Sequence, residues 1–299
     1  MKGIVGKVAH YFRCGLTLVS PELNTRVSYL FKFKKPLNLK NPKLYNEKLL
    51  WIKLNYYNKS PIVKKCADKY LVREYVEAKG CGDILNELLF TYNDPEEIEW
   101  DKLPNSFAIK WNFGSGNNII VSDKNKLDIP ETIKKLKRMK QQNAYLPYSE
   151  MQYKGVKKKI LIEKYLCDGH GILPADYKVM CFHGIADCVG VFLGRETGET
   201  TLYYFDENWN LLRINYAGMK APEGFTLPKP EGIEKVFEYA RILSEPFPFV
   251  RADFYLVDGK VYFGELTFTP CGSMDGGMPP SLDEYFGKKI NLEQIKNFE

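Results

Sequence analysis

A chain of 299 residues with 44% hydrophobic content can bury a sizeable core and is expected to form two or three compact lobes. Aromatic residues at 14% and well-mixed charges exclude a disordered chain. The formal net charge of +6 suits acidic ligands such as phosphates or sugar acids, while the scatter of the basic residues argues against nucleic acid.

The opening "MKGIVGKVAHYFRCGLTLVS" starts basic, but Lys7, His10 and Arg13 interrupt any apolar run, so it is neither a signal peptide nor a membrane span. Read as a helix, it gathers Ile4, Val8, Tyr11, Gly15 and Leu18 on one stripe, which we expect to dock against the protein's own core, with contact at a membrane surface as the other reading. Prolines 21, 36, 42 and 61 punctuate the next segment, and "KLYNEKLLWIKLNYY" between them has helical spacing. "VKKCADKYLVREYVEAKG" reads as one helix closed by Gly80, followed by a short apolar segment over 84–92 and an acidic loop.

From there "SFAIKW" and "IIVSD" are strand-like around the turn "NFGSGNN". "PETIKKLKRMKQQNAY" is a charged helix, "KKILIEKYL" a short apolar strand, and residues 177–212 antiparallel strands joined by glycine-bearing turns. "IEKVFEYARILSE" is a helix that ends at Pro246. Strands and helices alternate without regular βαβ units, which predicts an α+β fold. Four regions are expected: 1–60, basic and mainly helical; 61–107, a linker helix and small segment; 108–166, a lid with the Gly-rich loop; and 167–299, a C-terminal unit.

Seven cysteines without CxxC spacing read as reduced thiols in a cytosolic protein. His10, His170 and His183 are far apart, which disfavours zinc and histidine catalysis, and the nearness of Cys167 to His170 reads as chance.

The chemistry concentrates in "FVRADFYLVDGKVYFGELTFTPCG", residues 249–272, a hairpin with acids inside both strands. A two-residue Asp-Gly turn would pair Val257 with Lys260 and send Asp253 and Glu265 to opposite faces. A three-residue Val-Asp-Gly loop would pair Leu256 with Lys260, and we prefer it because it sorts polar from apolar residues. Arg251, Asp253, Phe263, Glu265 and Thr267 then share one face, with Tyr262 on the other. Two adjacent carboxylates repel, which a hard cation would relieve. The alternative is an Arg251 salt bridge to one acid with the other solvated. Lys110 stands just before Gly114-Ser115-Gly116, where backbone N–H groups can approach phosphate oxygens, although the same tripeptide is also an ordinary hairpin turn. Asp176 and Lys178 alternate with apolar residues and could be a surface ion pair.

In order, these pieces resemble the TupA-like ATP-grasp family: "NPKLYNEKLLWIK", "ADKYLVREYV", "LPNSFAIKWNFGSGNNIIV", "ILIEKYL", "ADYKVMCFHG" and "FVRADFYLVDGKVYFGELTFTP", from about Asn41 to Pro270. The resemblance implies an ATP-grasp fold in which two α+β lobes clasp ATP. It implies that Lys110 contacts the phosphates, that Gly114, Ser115, Gly116 and Asn117 cover them, and that Glu163, Lys164, Tyr165 and Leu166 form the adenine hinge, with Asp176 on the cofactor side. Asp253, Glu265 and Thr267 would hold Mg²⁺, with Mn²⁺ as a substitute, and Lys178 and Arg251 would act at the phosphates or acceptor. Lys69 and Arg73 would shape the nucleotide or acceptor side. Glycines 169, 171, 184 and 190 would permit motion in the segment over 167–200. Thr267 replaces the Asn of the common E-x-N signature, and Phe113 the His of N-H-G-S-G. The implied activity is ATP-dependent carboxylate–amine ligation through an acyl phosphate, in cytoplasmic synthesis of bacterial surface polysaccharide. Its partners would be a carboxylate and an amine substrate, with peripheral contact to membrane-bound machinery. A kinase on the same fold and a glycosyltransferase are the alternatives.

Overall fold

The computed structural model describes residues 2–114, 116, 118–167, 174–193 and 200–295. Its first two helices, α1 (Lys2–Val19) and α2 (Pro21–Phe33), meet at Ser20. The Ser20 hydroxyl accepts from Leu23 N as an N-cap, and Pro21 takes the first helical position, where its missing N–H costs nothing.

The apolar stripe of α1 does not dock: Val8, Tyr11 and Leu18 are 63%, 72% and 72% exposed. The helix is held instead through buried polar groups on its other side. The Thr17 hydroxyl donates to Leu146 O at 2.7 Å and lies 2.8 Å from the Ser149 hydroxyl, while the Asn24 amide reaches Thr17 Oγ1 at 2.7 Å. Each of these buried groups has a partner, so the polar side of the helix can go inward without a desolvation penalty, and the apolar side is left outward.

Helix α3 (Tyr45–Ile52) runs into a π-turn over Lys53–Tyr57. The helix expected over 63–80 is two helices, α4 (Pro61–Ala67) and α5 (Val72–Ala78). The break comes from Asp68, whose carboxylate accepts from Tyr70 N at 2.8 Å and Leu71 N at 3.2 Å and also takes the Asn112 amide at 2.7 Å. A side chain that bonds the backbone this way competes with the helix ladder. Gly80, at φ +75°, closes α5 as expected.

Strands β1 (Leu88–Tyr92), β2 (Phe107–Trp111), β3 (Asn118–Val121) and β4 (Ile160–Lys164) form one sheet in the order β1-β4-β2-β3. Leu136 and Met139 of α6 (Ile129–Lys140) join Phe107, Ile109, Trp111 and Ile162 in the core of this small lobe. The second sheet has six strands in the order β10-β9-β5-β6-β7-β8: β5 (Asp176–Phe182), β6 (Ile185–Leu193), β7 (Thr201–Phe205), β8 (Leu211–Leu212), β9 (Phe249–Val257) and β10 (Lys260–Thr267). Every ladder among the described residues is antiparallel, so the fold is α+β. Between β8 and β9 lie α7 (Tyr216–Lys220) and α8 (Ile233–Ser244); α8 buries Phe237, Ala240 and Leu243 on β5, β6 and β9, and α9 (Pro280–Lys289) packs on α3.

The β9–β10 hairpin departs from the expected register. Lys260 pairs with Val257, so the turn is the two-residue Asp258-Gly259 type, with φ of 50° and 71°. Phe263 therefore pairs with Phe254 on the core face, and Tyr262 moves to the other face opposite Tyr255. Alone, this turn would send Glu265 away from Asp253. A bulge between Phe263 and Glu265 inserts Gly264 and restores the pair Glu265–Asp253. A Cβ on Gly264 would stand 2.8 Å from Asp253 O, so the bulge needs glycine there.

Candidate active site

The site follows from the sheet register. Lys178 on β5 pairs with Asp253 on β9, and Asp253 pairs with Glu265 on β10, so the three charged side chains form one row across three strands. Val179 and Ala252, one residue on, face the opposite side and the core under α8. The next row adds Arg251 and Thr267. Alternation along the strands thus gives a helix-covered core face and a charged face from the same segments.

Asp253 is fully engaged. Arg251 donates to both of its carboxylate oxygens at 2.7 Å, and Lys178 reaches Oδ2 at 2.7 Å while also pairing with Asp176 at 2.6 Å. Burial pushes the Asp253 carboxyl above the ordinary aspartate range, against the pull of Arg251 and Lys178. Its three charge-assisted hydrogen bonds are made to the ionised form. Burial also works against the Arg251 charge, but Asp253 and Glu265 outweigh it and raise that guanidinium further.

Glu265 is set differently. Its Oε2 meets Lys69 at 3.0 Å, and its Oε1 accepts from the Thr267 hydroxyl at 3.0 Å. Burial alone would raise this carboxyl, yet Lys69 and Arg251 hold it down at about 2. Lys69 donates in addition to Gly114 O at 2.8 Å, and its own N–H donates to Asn112 O at 2.9 Å. One lysine, delivered by the break at Asp68, therefore ties the Gly-rich loop of the small lobe to the carboxylate row of the large sheet. Sequence reasoning had assigned Lys69 only a shaping role. The available signal was the acid at 68, a helix-capping residue type inside an apparent helix.

In the small lobe, Lys110 of β2 and Glu163 of β4 form a diagonal cross-strand pair at 2.6 Å, both largely buried. Lys164, expected as part of the adenine hinge, is exposed and pairs with Glu87 at 3.6 Å; Tyr165 and Leu166 follow it, half-buried. Arg73 lies apart from the row and donates to Asn86 O at 2.9 Å. Ser115, Asn117, His170 and glycines 169 and 171, with the rest of 168–173 and with 194–199, lie outside the described residues.

Beside the row opens a cleft of about 550 Å³, floored by Arg251, Glu265 and Thr267 and walled by Lys69, Gly114 and the 142–150 segment. Its inner wall holds Glu150, whose carboxyl burial pushes up and which accepts from the Thr269 hydroxyl. Behind it, burial lowers the Lys53 ammonium to about 8 against the pull of Glu150, and Lys53 donates to Tyr148 O at 2.8 Å. None of Glu150, Lys53 or Tyr148 carried a motif that sequence reasoning could have used.

Asp253, Glu265 and the Thr267 hydroxyl are hard oxygen donors on adjacent strands, a set that suits Mg²⁺. No cluster of three or more His, Cys, Asp or Glu side chains that could hold a metal ion occurs among the described residues.

Two antiparallel sheets facing a charged cleft, a lysine and Gly-rich loop in one and a carboxylate row in the other, define an ATP-grasp enzyme. The family model described as TupA-like ATPgrasp matches residues 47–291, and the chain belongs to that family. Comparison with curated proteins finds no match. Among solved structures, the chain is similar to D-alanine–D-alanine ligase from Bacillus anthracis complexed with ATP, at 15% identity and TM-score 0.45 over 79% of this chain and 69% of that one. It is also similar to N5-carboxyaminoimidazole synthase from Aspergillus clavatus, at 13% identity and TM-score 0.41 over 69% and 45% of the two chains. A third is L-amino acid ligase from Bacillus licheniformis, at 16% identity and TM-score 0.40 over 71% and 44%.

Proposed function

We propose that this enzyme joins a carboxylate to an amine at the expense of ATP, through an acyl phosphate, in the synthesis of a bacterial surface polysaccharide. The carboxylate is a sugar acid or an acidic chain, and the amine an amino acid or amino sugar. The observation that carries the reading is the Lys178–Asp253–Glu265 row, tied through Lys69 to the Gly-rich loop. Phosphoryl transfer needs charge neutralisation and alignment more than a protein nucleophile, and these residues are built for that task.

In this reading Lys110 leaves Glu163 to neutralise the phosphates, and Lys178 and Arg251 stabilise charge on the transferring group. Asp253, Glu265 and Thr267 would hold Mg²⁺. Bound there, the metal would supply Lewis-acid neutralisation of the phosphate oxygens. Lys69 keeps the Gly-rich loop over the reacting end, and the cleft beside Arg251 receives the acceptor carboxylate. The net charge of the chain and the acid-binding character of the cleft support an anionic acceptor.

The test is incubation with Mg-ATP, candidate uronic acids and amines, following ADP, phosphate and product mass. Release of ADP and phosphate that depends on both acceptors, with an amide product, supports ligation. A phosphorylated product stable to hydroxylamine points to a kinase instead. Transfer from a nucleotide sugar without ATP would overturn the proposal.

A further inference from the structure

The acceptor cleft has an apolar extension. A second groove, about 460 Å³, lies between α1 and α2 and shares Lys32, Tyr148 and Cys271 with the cleft. Its lining is supplied by Ala9, Phe12, Val27, Phe31 and Met274. Ala9 and Phe12 stand one turn apart on α1, as Val27 and Phe31 do on α2, so each helix turns a face to the groove. The apolar surface continues outward. Val8, Phe12 and Val19 recur at i, i+4 and i+11 on that side of α1, and they are 63%, 55% and 78% exposed. The helix is anchored by hydrogen bonds from Thr17 and Asn24, which leaves this apolar surface uncovered.

Two cations stand where groove meets cleft. Arg13 lies 5.2 Å over the Tyr148 ring, and its buried Nε has no hydrogen-bond partner among the described residues. Lys32 donates one proton to Met274 O, which leaves the ammonium two further donors. The order along the channel is thus a polar cleft, a pair of cations, an apolar groove and an exposed apolar edge.

We infer that the acceptor is amphipathic: a polar head group bearing the reacting group, joined through an anionic phosphate link to an apolar chain that lies in the α1–α2 groove. This rests on the ligase reading for the identity of the cleft, but the groove can be tested without catalysis. Burial of an apolar chain supplies affinity in proportion to its length, and the link sets its depth at Arg13 and Lys32.

Cys271 is exposed, unpaired and common to both spaces, so it reports on occupancy. Its alkylation by a maleimide, located by peptide mass, is followed without ATP or amine. Farnesyl phosphate, kept below its micelle concentration, is compared with farnesol and inorganic phosphate. We expect farnesyl phosphate to slow labelling roughly tenfold or more, farnesol several-fold less, and inorganic phosphate hardly at all. Phe31→Ser or Phe12→Ser should weaken the farnesyl phosphate affinity roughly tenfold, and Arg13→Gln should erase its advantage over farnesol. All three side chains are at least partly exposed, and unchanged melting temperatures confirm folding of the variants. Equal protection by inorganic phosphate would leave a bare anion site and overturn the proposal. Equal protection by farnesol, untouched by Arg13→Gln, would remove the anionic link. A dimer in sedimentation that Phe31→Ser dissociates would make the face a subunit interface instead. Protection without any amide synthesis would keep the groove and sink the ligase; synthesis without protection would do the reverse.

Discussion

Lys110 and Asp253 sit in the two lobes that face the cleft, and their surroundings differ. Among the described residues Lys110 has a single charged partner, Glu163, at 2.6 Å. Asp253 is held by Arg251 and Lys178, and Glu265 beside it by Lys69 and Thr267. A lone pair can be exchanged for a ligand at the cost of one contact, whereas the large-sheet network stays ordered if one contact moves. Under the proposed function the large sheet is a preorganised floor, and the small lobe supplies a cation that leaves its partner for the ligand.

Breaking the floor should have the largest effect. Asp253→Asn or Glu265→Gln is expected to lower turnover on the order of 10²–10³-fold or more, with the far-UV spectrum unchanged. Near-normal activity in either variant would dissolve the distinction between the two lobes. Lys110→Met should cost roughly 10²-fold in kcat/KM, and the loss should appear in nucleotide affinity as well as turnover. If Lys110 is the released partner, Glu163→Gln will leave turnover far less damaged than Lys110→Met.

The next effect is mechanical. Gly264→Ala forces a Cβ toward Asp253 O, 2.8 Å away, and should destabilise the protein by about 1–3 kcal/mol in urea titration. Turnover should fall with it, because the bulge positions Glu265. The smallest effect is on acid stability. The folded-state carboxyl of Glu265 is held at about 2, below its ordinary value of 4.5, so it contributes stability that is complete above 4.5 and lost as pH falls toward 2. Glu265→Gln should flatten the stability profile in that window alone, as read by chemical denaturation at stepped pH.

Much of this site was legible in the sequence because its residues fall at strand spacing. Asp176, Lys178, Arg251, Asp253, Glu265 and Thr267 alternate with apolar neighbours, and that alternation gathers the polar residues of each strand on one of its faces. The register that joins them was not legible. A three-residue turn would set Glu265 opposite Arg251, and the two-residue turn with a downstream bulge sets it opposite Asp253; both leave the two acids on one face, but they reverse the faces of residues 260 to 263. The break at Asp68 was hidden because its stabilising partner, Asn112, is distant in sequence. The outward stripe of α1 was misread because periodicity shows that a helix has two sides, not which side finds partners.

The charges around the cleft have a consequence for how ATP is drawn in. Lys69, Lys110, Lys178 and Arg251 are matched in number by Glu163, Asp176, Asp253 and Glu265. These eight groups are formally neutral together, so long-range pull on a polyanion comes from the chain's net charge of +6 and not from them. Salt screens such a pull, so the affinity for Mg-ATP should fall as ionic strength rises, though less steeply than for a pocket lined by one sign of charge.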